Sequence, residues 1–302
     1  MHISVLTEEV VEGLQIREDD VVIDGTLGGG GHSRSICTRL GRNGMLIGID
    51  SDGGAVKRAK EILRECTCQV KLNQQNFRYL DKVIGQHTVS HVSKIIFDLG
   101  ISSFQIDQPE EGTKGRGFSF QRDEPLLMTF EEDSRGKMTA AELLAVGTEE
   151  QLETIILRYG EEKHARRIAR GIVQAREKKP IETTGELVEI IRLATPRLYH
   201  RARMHFATRT FQALRMAVND ELDALLEGLQ KGFKVLESGG RIAVISFHSL
   251  EDRIVKNFFR DREKEGVAKR ITKKPIRPTE EEIARNPRSR SAKLRILEKR
   301  SL

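Results

Sequence analysis

The pattern of apolar and polar residues predicts short strands that alternate with helices along the first hundred residues. Short, mostly apolar segments at residues 21–23, 46–49, 70–72 and 94–98 have the length and composition of strands in a buried parallel sheet. Residues 53–65 lie between two of these segments and place apolar side chains at helical spacing. We therefore predict an α/β fold with an open parallel sheet, which binds ligands at the carboxyl ends of its strands.

The alternation breaks after residue 98. The next clear buried strand, IAVISF at residues 242–247, begins about 140 residues later, whereas a parallel crossover with its helix needs far fewer residues. Capping-box pairs begin two of the four helices predicted in this interval, which lie near residues 139–145, 148–158, 161–178 and 184–194. We predict a sheet domain formed by residues 1–107 and 208–302 and an inserted helical domain formed by residues 108–207.

The last hundred residues predict the remaining elements of the sheet domain. A long helix is expected at residues 209–236, and a helix capped by Ser249 follows the strand at 242–247. Two short basic strands, near residues 269–273 and 293–298, are expected to form a terminal antiparallel hairpin. The chain thus supplies seven predicted strands.

The segment DGTLGGGGHS, residues 24–33, is typical of a strand that turns through a glycine loop into a helix. Glycine lets the main chain turn sharply and approach a ligand, and the loop N–H groups then face that ligand. Ser33 is the expected N-cap of the helix. The dinucleotide pattern GxGxxG is disfavoured, because Ser33 stands where its third glycine belongs. A glycine-rich turn without a ligand is the alternative.

Three acidic residues end predicted strands: Asp24, Asp50 and Asp98. Asp50 follows Asp24 by 26 residues, about where a nucleotide-binding unit places the carboxylate that binds ribose hydroxyls. A ligand with a ribose and without a pyrophosphate fits best, and S-adenosylmethionine is the common one. Phe77, just past the third strand, either stacks on a purine or lies in the core.

The net charge of +6 on the 302-residue chain is unevenly distributed. Residues 158–215 contain 14 Lys or Arg against 6 Asp or Glu, and residues 253–302 contain 17 against 7. The rest of the chain is acidic. Two basic regions on an acidic body indicate a polyanionic partner, with solvated helix faces as the alternative.

The chain has features of a cytoplasmic protein. No apolar run approaches the ~20 residues of a membrane helix, and no secretory signal is evident at the N-terminus. Three cysteines without CxxC spacing favour free thiols over a disulfide set or a zinc site, and no metal is expected.

Eight segments of the sequence together resemble one family. They are DGTLGGGGHS, IGID, NQQNF, DLGISSFQID, RGFSF, RTFQALRMAVNDEL, GGRIAVISFHSLEDRIVK and NPRSRSAKLR. They resemble the bacterial 16S rRNA (cytosine-N4)-methyltransferase family over nearly the whole chain. The resemblance implies methyl transfer from S-adenosylmethionine to the exocyclic N4 amine of a cytidine in the decoding region of 16S rRNA. It implies a Rossmann-like class I methyltransferase sheet of seven mostly parallel strands with an inserted helical domain.

The resemblance also implies which residues bind the cofactor. They are Gly30, Gly31 and His32 at its methionine end, Asp50 at the ribose hydroxyls, Phe77 at the adenine, and Asp98 and Gln105 to complete the pocket. His32 and Gln105 come mainly from the resemblance, whereas the other positions also follow from the residue pattern. The implied partner is 16S rRNA within the small ribosomal subunit. The oligomeric state stays open, with a dimer as one option.

The chemistry of the substrate indicates the catalytic positions. The N4 lone pair of cytosine is delocalised into the ring, so an enzyme can help by accepting hydrogen bonds from the amine and fixing its geometry. Amino-methyltransferases use the segment after the fourth strand for this purpose. Here we expect Asp98 to accept from the amine or orient the cofactor, with Ser102 and Ser103 supporting it.

The base must leave its stack to reach such a site. Phe118 and Phe120 are predicted either to stack on it or to plug the insert against the sheet, and His248 is a weaker candidate that is expected to be structural. The residues expected to contact phosphates are Arg166, Arg167, Arg170, Arg201 and Arg203 in the insert and Arg288, Arg290 and Lys293 near the C-terminus.

Three alternatives remain on the sequence. A DNA amino-methyltransferase shares the chemistry and changes the substrate. A ribosome-assembly factor would bind the cofactor without catalysis. A nicotinamide dehydrogenase is disfavoured by the spacing of the glycines.

Overall fold

The structure, a computed structural model, describes residues 4–87, 89, 91–106, 115–131 and 136–301. The described residues up to 102 and from 222 onward form one compact unit, and those from 103 to 221 form another. The domain boundaries predicted from the sequence, 107/108 and 207/208, differ from this division. The main difference concerns the helix that begins at residue 208.

The first unit contains one seven-stranded sheet. Its strands are β1 Val21–Asp24, β2 Met45–Asp50, β3 Gln69–Gln74, β4 Val92–Asp98, β5 Leu236–Ser246, β6 Ala268–Arg270 and β7 Lys293–Lys299. They lie in the order β3-β2-β1-β4-β5-β7-β6. β7 runs antiparallel to β5 and β6, and the other neighbouring strands are parallel. The predicted α/β fold with a mostly parallel sheet of seven strands is confirmed.

Thirteen α-helices are assigned within the described residues. They are α1 Thr7–Leu14, α2 Gly31–Cys37, α3 Gly53–Ile62, α4 Leu80–Gln86, α5 Ser103–Ile106, α6 Ala140–Val146, α7 Glu149–Gly160, α8 Ala165–Arg176, α9 Thr184–Ala194, α10 Thr208–Asn219, α11 Glu221–Val235, α12 Ser249–Lys264 and α13 Glu280–Arg285. None of the helices in the described part of the chain combines the length and apolarity needed to cross a bilayer.

The central strands are apolar on both faces because helices cover both sides of the sheet. Successive side chains of a strand point to opposite faces, and β4 shows the consequence. Ile95 and Phe97 pack into a cluster with residues of α4, α11 and α12. Ile96 packs into a second cluster with residues of α1, α2 and α3. All three side chains are fully buried, so the sheet is held rigidly between two apolar layers.

The second unit is helical. α7 packs against α8 and α10, and α8 packs against α9. The two predicted capping boxes are confirmed: Thr148 accepts from the backbone N–H of Gln151, and Thr183 accepts from that of Glu186. The four helices predicted between residues 139 and 194 all form, with ends shifted by a few residues.

The prediction of one long helix at residues 209–236 is wrong, because α10 and α11 are separate helices. Asp220 lies between them with a left-handed backbone, at φ +50°. Asn219 ends α10, and its side chain accepts from the N–H of Phe130 at 2.8 Å and donates to the carbonyl of Met128 at 2.7 Å. The break thus ties the helix to a distant loop of the second unit, which sequence periodicity does not show.

Two further expectations for the C-terminal part need correction. His248, and not Ser249, is the N-cap of α12, since its ring accepts from the backbone N–H of Glu251. The predicted terminal strands do pair antiparallel, but α13 lies between them in the chain and β7 is inserted between β5 and β6. They do not form a simple hairpin.

Candidate active site

The three predicted carboxylates lie at the carboxyl ends of adjacent strands. Asp24 ends β1, whose neighbours are β2 on one side and β4 on the other. Asp24 is in register with Gly48 of β2 and with Ile96 of β4. Asp50 and Asp98 each stand two residues further along those strands, so they flank the position of Asp24 at one edge of the sheet. This is the edge at which open α/β sheets bind ligands.

The glycine loop folds over this edge. Gly28 has φ +49° and Gly30 has φ +75°, a backbone region that disfavours residues with a side chain. The N–H of Gly30 donates to the carbonyl of Leu27 at 2.7 Å, and the N–H of Leu27 donates to that of Ile49 at 3.1 Å. The loop is therefore tied to β2 by its backbone and presents main chain to its surroundings.

Asp24 supports the loop. Its Oδ2 accepts a hydrogen bond of 2.6 Å from the hydroxyl of Ser33, and its Oδ1 accepts from the N–H of Thr26 at 3.1 Å. Burial raises the pKa of the Asp24 carboxyl, and the Ser33 hydroxyl opposes that rise. The expectation that Ser33 caps α2 is wrong, because its hydroxyl is committed to Asp24. Gly30 takes the capping position, and no side chain caps this helix.

Asp50 retains capacity to bind a further donor. Its Oδ2 accepts from the N–H of Gly28 at 2.8 Å, and its Oδ1 accepts from the N–H of Asp52 at 2.9 Å. A carboxylate oxygen has two acceptor positions, so each oxygen can accept one more hydrogen bond. Burial raises the pKa of Asp50 to about 6, although both backbone N–H groups favour the charged form.

Asp98 has one carboxylate oxygen that is buried without a partner. Its Oδ2 lies 3.5 Å from Nδ1 of His32, whereas Oδ1 is buried and has no hydrogen-bond partner among the described residues. Burial raises the pKa of Asp98 to about 6; His32 lowers it, and Asp24 and Glu251 raise it. A buried oxygen without a donor is costly, so Oδ1 marks a position where a ligand donor would be stabilised.

His32 is held by the N-terminal segment. Its Nε2 lies 2.9 Å from the carbonyl oxygen of Val5. Since a carbonyl only accepts, Nε2 carries a hydrogen. Nδ1 faces the Asp98 carboxylate, which also only accepts, so the two groups attract each other when Nδ1 carries a hydrogen as well and the ring is a cation. The side chain of His32 is buried, so this arrangement is fixed on both sides of the ring.

These groups fit a nucleoside cofactor. The loop offers main chain without Cβ atoms, the start of α2 has no side-chain cap, and Asp50 keeps acceptors for a diol. The unpartnered oxygen of Asp98 adds an acceptor at the end of β4, which is separated from β2 by β1. Gly30, Gly31, His32, Asp50 and Asp98 are thus brought together in the first unit.

Phe77 packs as part of the core. Its ring centroid lies 5.2 Å from that of Phe97, and a Cβ built on Gly228 would come within 2.7 Å of the ring. The side chain is half-buried. The predicted contact of Phe77 with an adenine stays a prediction.

The remaining predicted positions near the cofactor are not tested by this geometry. Ser102 is half-buried at the end of the segment that follows β4, and the side chain of Ser103 lies outside the described residues. Gln105 belongs to the second unit and is half-buried. Their roles stay predictions.

His248 has a structural role in addition to any other. Glu251 Oε2 accepts from the N–H groups of Phe247 and His248, and Nδ1 of His248 accepts from the N–H of Glu251 at 3.4 Å. This capping box begins α12 directly after β5. It also places the buried carboxylate of Glu251 near Asp98, whose pKa it raises.

Phe118 and Phe120 have different surroundings in the second unit. Phe118 is buried and its ring stacks on that of Phe130, with centroids 5.9 Å apart. Phe120 is half-buried and stacks on His205, with centroids 4.5 Å apart. Phe118 therefore packs within its own unit, and Phe120 lies beside an exposed imidazole.

The predicted phosphate contacts are mostly exposed. This group comprises Arg166, Arg167 and Arg170 on α8, Arg201 and Arg203 near α10, and Arg288 and Arg290 in a 3₁₀ turn. Arg170 lies 3.4 Å from Glu149. Lys293 differs, because it is half-buried and shares the carboxylate of Asp252 with Arg295.

Two residues that shape the site were not predicted from the sequence. Thr26 accepts the backbone N–H of Asp98 through its hydroxyl at 2.6 Å, and Val5 orients His32. Thr26 had a signal, since it lies between Asp24 and the glycines. Val5 had none, because only a backbone atom at a distant position takes part.

The sheet order and the groups at its carboxyl edge define a Rossmann-like class I S-adenosylmethionine-dependent methyltransferase. The chain belongs to the MraW methylase family, whose family model matches residues 1–300.

Relatives with assigned names cover nearly the whole chain. A protein of Brevibacillus brevis named ribosomal RNA small subunit methyltransferase H is 45% identical over 99% of this chain and 98% of its own length. A protein of Persephonella marina with the same name is 47% identical over 98% of each chain. The solved structure of an rRNA methylase from Streptococcus thermophilus is similar with a TM-score of 0.44 and 13% identity, over 98% of this chain and 94% of that one.

Proposed function

We propose that the protein transfers a methyl group from S-adenosylmethionine to the exocyclic N4 amine of a cytidine in the decoding region of 16S rRNA. Membership of the methylase family and the name of the two relatives support this proposal. The observation that carries it is the buried, unpartnered Oδ1 of Asp98 at the end of β4, beside the glycine loop.

The cofactor would be held by residues of the first unit. When bound, S-adenosylmethionine supplies an electrophilic methyl group. Gly30, Gly31 and His32 would hold its methionine end through the uncapped start of α2, and Asp50 would accept hydrogen bonds from the ribose hydroxyls. Phe77 is proposed to lie against the adenine.

Asp98 would act on the amine. A carboxyl with a pKa of about 6 is largely ionised at pH 7. Oδ1 would accept a hydrogen bond from one N4–H, which directs the nitrogen lone pair and holds the amine in place. Because the amine loses one proton when it gains the methyl group, we assign Asp98 as the first acceptor of that proton. Ser102 is proposed to support this position.

Substrate recognition would involve both basic regions. Phosphate contacts by the exposed arginines of α8 and of the C-terminal 3₁₀ turn supply sequence-independent binding. A cytidine must leave its stack to be methylated, and Phe120 is the better of the two aromatic candidates for stacking because it is only half-buried. We propose that the reaction takes place in the cytoplasm, on 16S rRNA within the small ribosomal subunit.

The test is a methyl-transfer assay with three substrates. Purified protein is incubated with cofactor labelled in the methyl group and with small ribosomal subunits, free 16S rRNA or duplex DNA. Nucleosides are then separated by mass spectrometry. We expect label in N4-methylcytidine from the subunits or the rRNA, and none with the Asp98→Ala variant.

Each other outcome assigns a different function. Label in duplex DNA alone would identify a DNA amino-methyltransferase. Tight binding of cofactor and RNA without transfer to any substrate would identify a binding factor.

A further inference from the structure

A short N-terminal segment, residues 4–6, lies against the start of α2. A Cβ built on Gly31 would come within 1.9 Å of the Ser4 hydroxyl oxygen, so the N-terminal segment and the start of α2 are in contact at this glycine. The next residue, Val5, places its carbonyl oxygen 2.9 Å from Nε2 of His32. Val5 and Leu6 are both buried. The segment therefore contacts two of the proposed cofactor-binding residues, Gly31 and His32.

The segment is fastened by a residue from the other end of the chain. Glu282, on α13, accepts a hydrogen bond of 2.8 Å from the N–H of Leu6 through its Oε1. Leu6 has φ +53° and ψ +37°, a left-handed conformation that is strained for a leucine, and its side chain cannot cap α1. The Glu282 carboxylate is thus a specific partner that holds a strained backbone position.

We infer that Glu282 is a positioning residue for the His32–Asp98 pair, acting through the backbone of Leu6 and Val5. The inference rests on the proposed function, since it concerns the residue assigned as proton acceptor. The contacts run without a gap from Glu282 to Leu6, from Val5 to His32 and from His32 to Asp98. All of these residues belong to the first unit.

The physical consequence is control of the orientation of the His32 ring. While the Val5 carbonyl accepts from Nε2–H, Nδ1 stays directed at Oδ2 of Asp98, where the protonated ring pairs with the carboxylate. If the segment moved, Nε2 would lose its acceptor and the ring could turn away from Asp98. The orientation of Oδ1 toward an amine would then be lost.

The same movement would change the charge balance at Asp98. Three titratable groups face this carboxylate: His32 from α2, Asp24 from β1 and Glu251 from α12. Asp24 and Glu251 raise the pKa of Asp98, and His32 lowers it. A displaced His32 leaves only the two carboxylates, so the pKa of Asp98 would rise further and the carboxylate would ionise only at higher pH.

The test compares three variants of the full chain. Glu282→Ala removes the acceptor, and Glu282→Gln keeps a side-chain oxygen that can accept from Leu6. Glu281→Ala is the matched control, because Glu281 lies on the same helix, is exposed and pairs with the likewise exposed Arg285 at 3.4 Å. If Glu282→Ala fails to fold, Glu282→Asp, which is one methylene shorter, replaces it.

Two readouts separate this inference from the proposed function. In the methyl-transfer assay we expect Glu282→Ala to lower kcat about tenfold or more and to shift the acidic limb of its pH profile to higher pH. Glu282→Gln and Glu281→Ala should resemble the wild type. Independently of any reaction, ¹⁵N NMR of labelled histidine, with His32→Gln for assignment, should show Nε2–H at His32 in the wild type and a changed signal in Glu282→Ala.

The NMR result tests the positioning role of Glu282 and does not depend on which substrate is methylated. An unchanged His32 signal and an unchanged pH limb in Glu282→Ala would overturn the inference. A changed signal in a protein that methylates nothing would uphold the positioning and reject the proposed reaction.

Discussion

The backbone N–H of Gly28 donates a hydrogen bond of 2.8 Å to Oδ2 of Asp50. This bond joins the glycine loop after β1 to the end of β2, and it uses one of the two acceptor positions of that oxygen. Asp50 therefore has two roles that rest on one carboxylate. It fixes the loop, and it keeps a position for a ribose hydroxyl.

Replacement of Asp50 should weaken cofactor binding strongly. Asp50→Ala removes the acceptor of both the Gly28 and Asp52 N–H groups and the proposed acceptor of the ribose. Hydrogen bonds to a charged group contribute about 1.5–3 kcal/mol each, so we expect the Kd for S-adenosylmethionine to rise by one to two orders of magnitude. Isothermal titration calorimetry measures this directly. Asp50→Asn keeps one carbonyl oxygen, so its Kd for S-adenosylmethionine should lie between those of the wild type and Asp50→Ala.

Replacement of Asp98 should remove catalysis and leave the fold intact. Asp98→Asn preserves the size of the side chain but cannot accept a proton, and we expect kcat to fall at least about a hundredfold. Single-turnover methyl transfer and the thermal unfolding midpoint should be measured on the same preparation. Turnover within a few-fold of the wild type would remove Asp98 from the mechanism.

The pH dependence of stability should reveal the buried Asp98 carboxylate. Its folded-state pKa, about 6, is above the value of an unfolded aspartate, so the native state binds more protons between pH 4 and 6. The wild type should therefore gain stability relative to Asp98→Asn as the pH falls through this window, by up to about 3 kcal/mol. Above pH 6 the difference should be constant. Urea unfolding of both proteins at several pH values measures the difference.

Sequence patterns predicted the sheet because its strands carry their own signal. The runs that end at Asp24, Asp50 and Asp98 are apolar on both faces, which a strand between two helical layers requires. The carboxyl edge could be predicted for the same reason, since parallel strands bring their ends to one edge. The capping boxes at Thr148 and Thr183 could also be predicted, because each joins residues only three positions apart.

The features that escaped prediction depend on residues far apart in the chain. Ser33 is a residue type that often caps helices, but its hydroxyl donates to the carboxylate of Asp24 once β1 and α2 are packed. The break at Asp220 has no glycine or proline to mark it and depends on contacts of Asn219 with residues 128–130. The bond from Leu6 to Glu282 spans 276 positions. No short-range pattern contains such information.

The two phenylalanines of RGFSF should respond differently to substitution. Phe118 is buried against Phe130, so Phe118→Ala should destabilise the protein by about 3–5 kcal/mol. Phe120 is half-buried on His205, and Phe120→Leu should retain most of the stability while it weakens RNA binding through loss of a stacking surface. Thermal unfolding and RNA binding, measured on both variants, separate the two roles. Equal RNA affinity of Phe120→Leu and wild type would assign Phe120 to packing alone.

Binding of 16S rRNA should weaken steeply with added salt, because phosphate contacts release counterions. Arg166 and Arg167 are exposed neighbours on α8. If each contacts one phosphate of a single-stranded segment, the slope of log K against log salt should decrease in magnitude by about 0.7 per arginine replaced by alanine. Filter binding at several salt concentrations gives the slope.

The control for this measurement is Arg192→Ala in the same unit. The Arg192 guanidinium is exposed and makes two hydrogen bonds to Glu189, at 2.7 and 2.5 Å, so its charge is already matched locally. Its removal should leave the slope unchanged, whereas the pair Arg166→Ala and Arg167→Ala should lower its magnitude by about 1.4 in total. Equal slopes for all variants would show that α8 carries solvated charges and that RNA binds elsewhere. A lower slope with unchanged cofactor affinity would locate one phosphate-binding surface on α8.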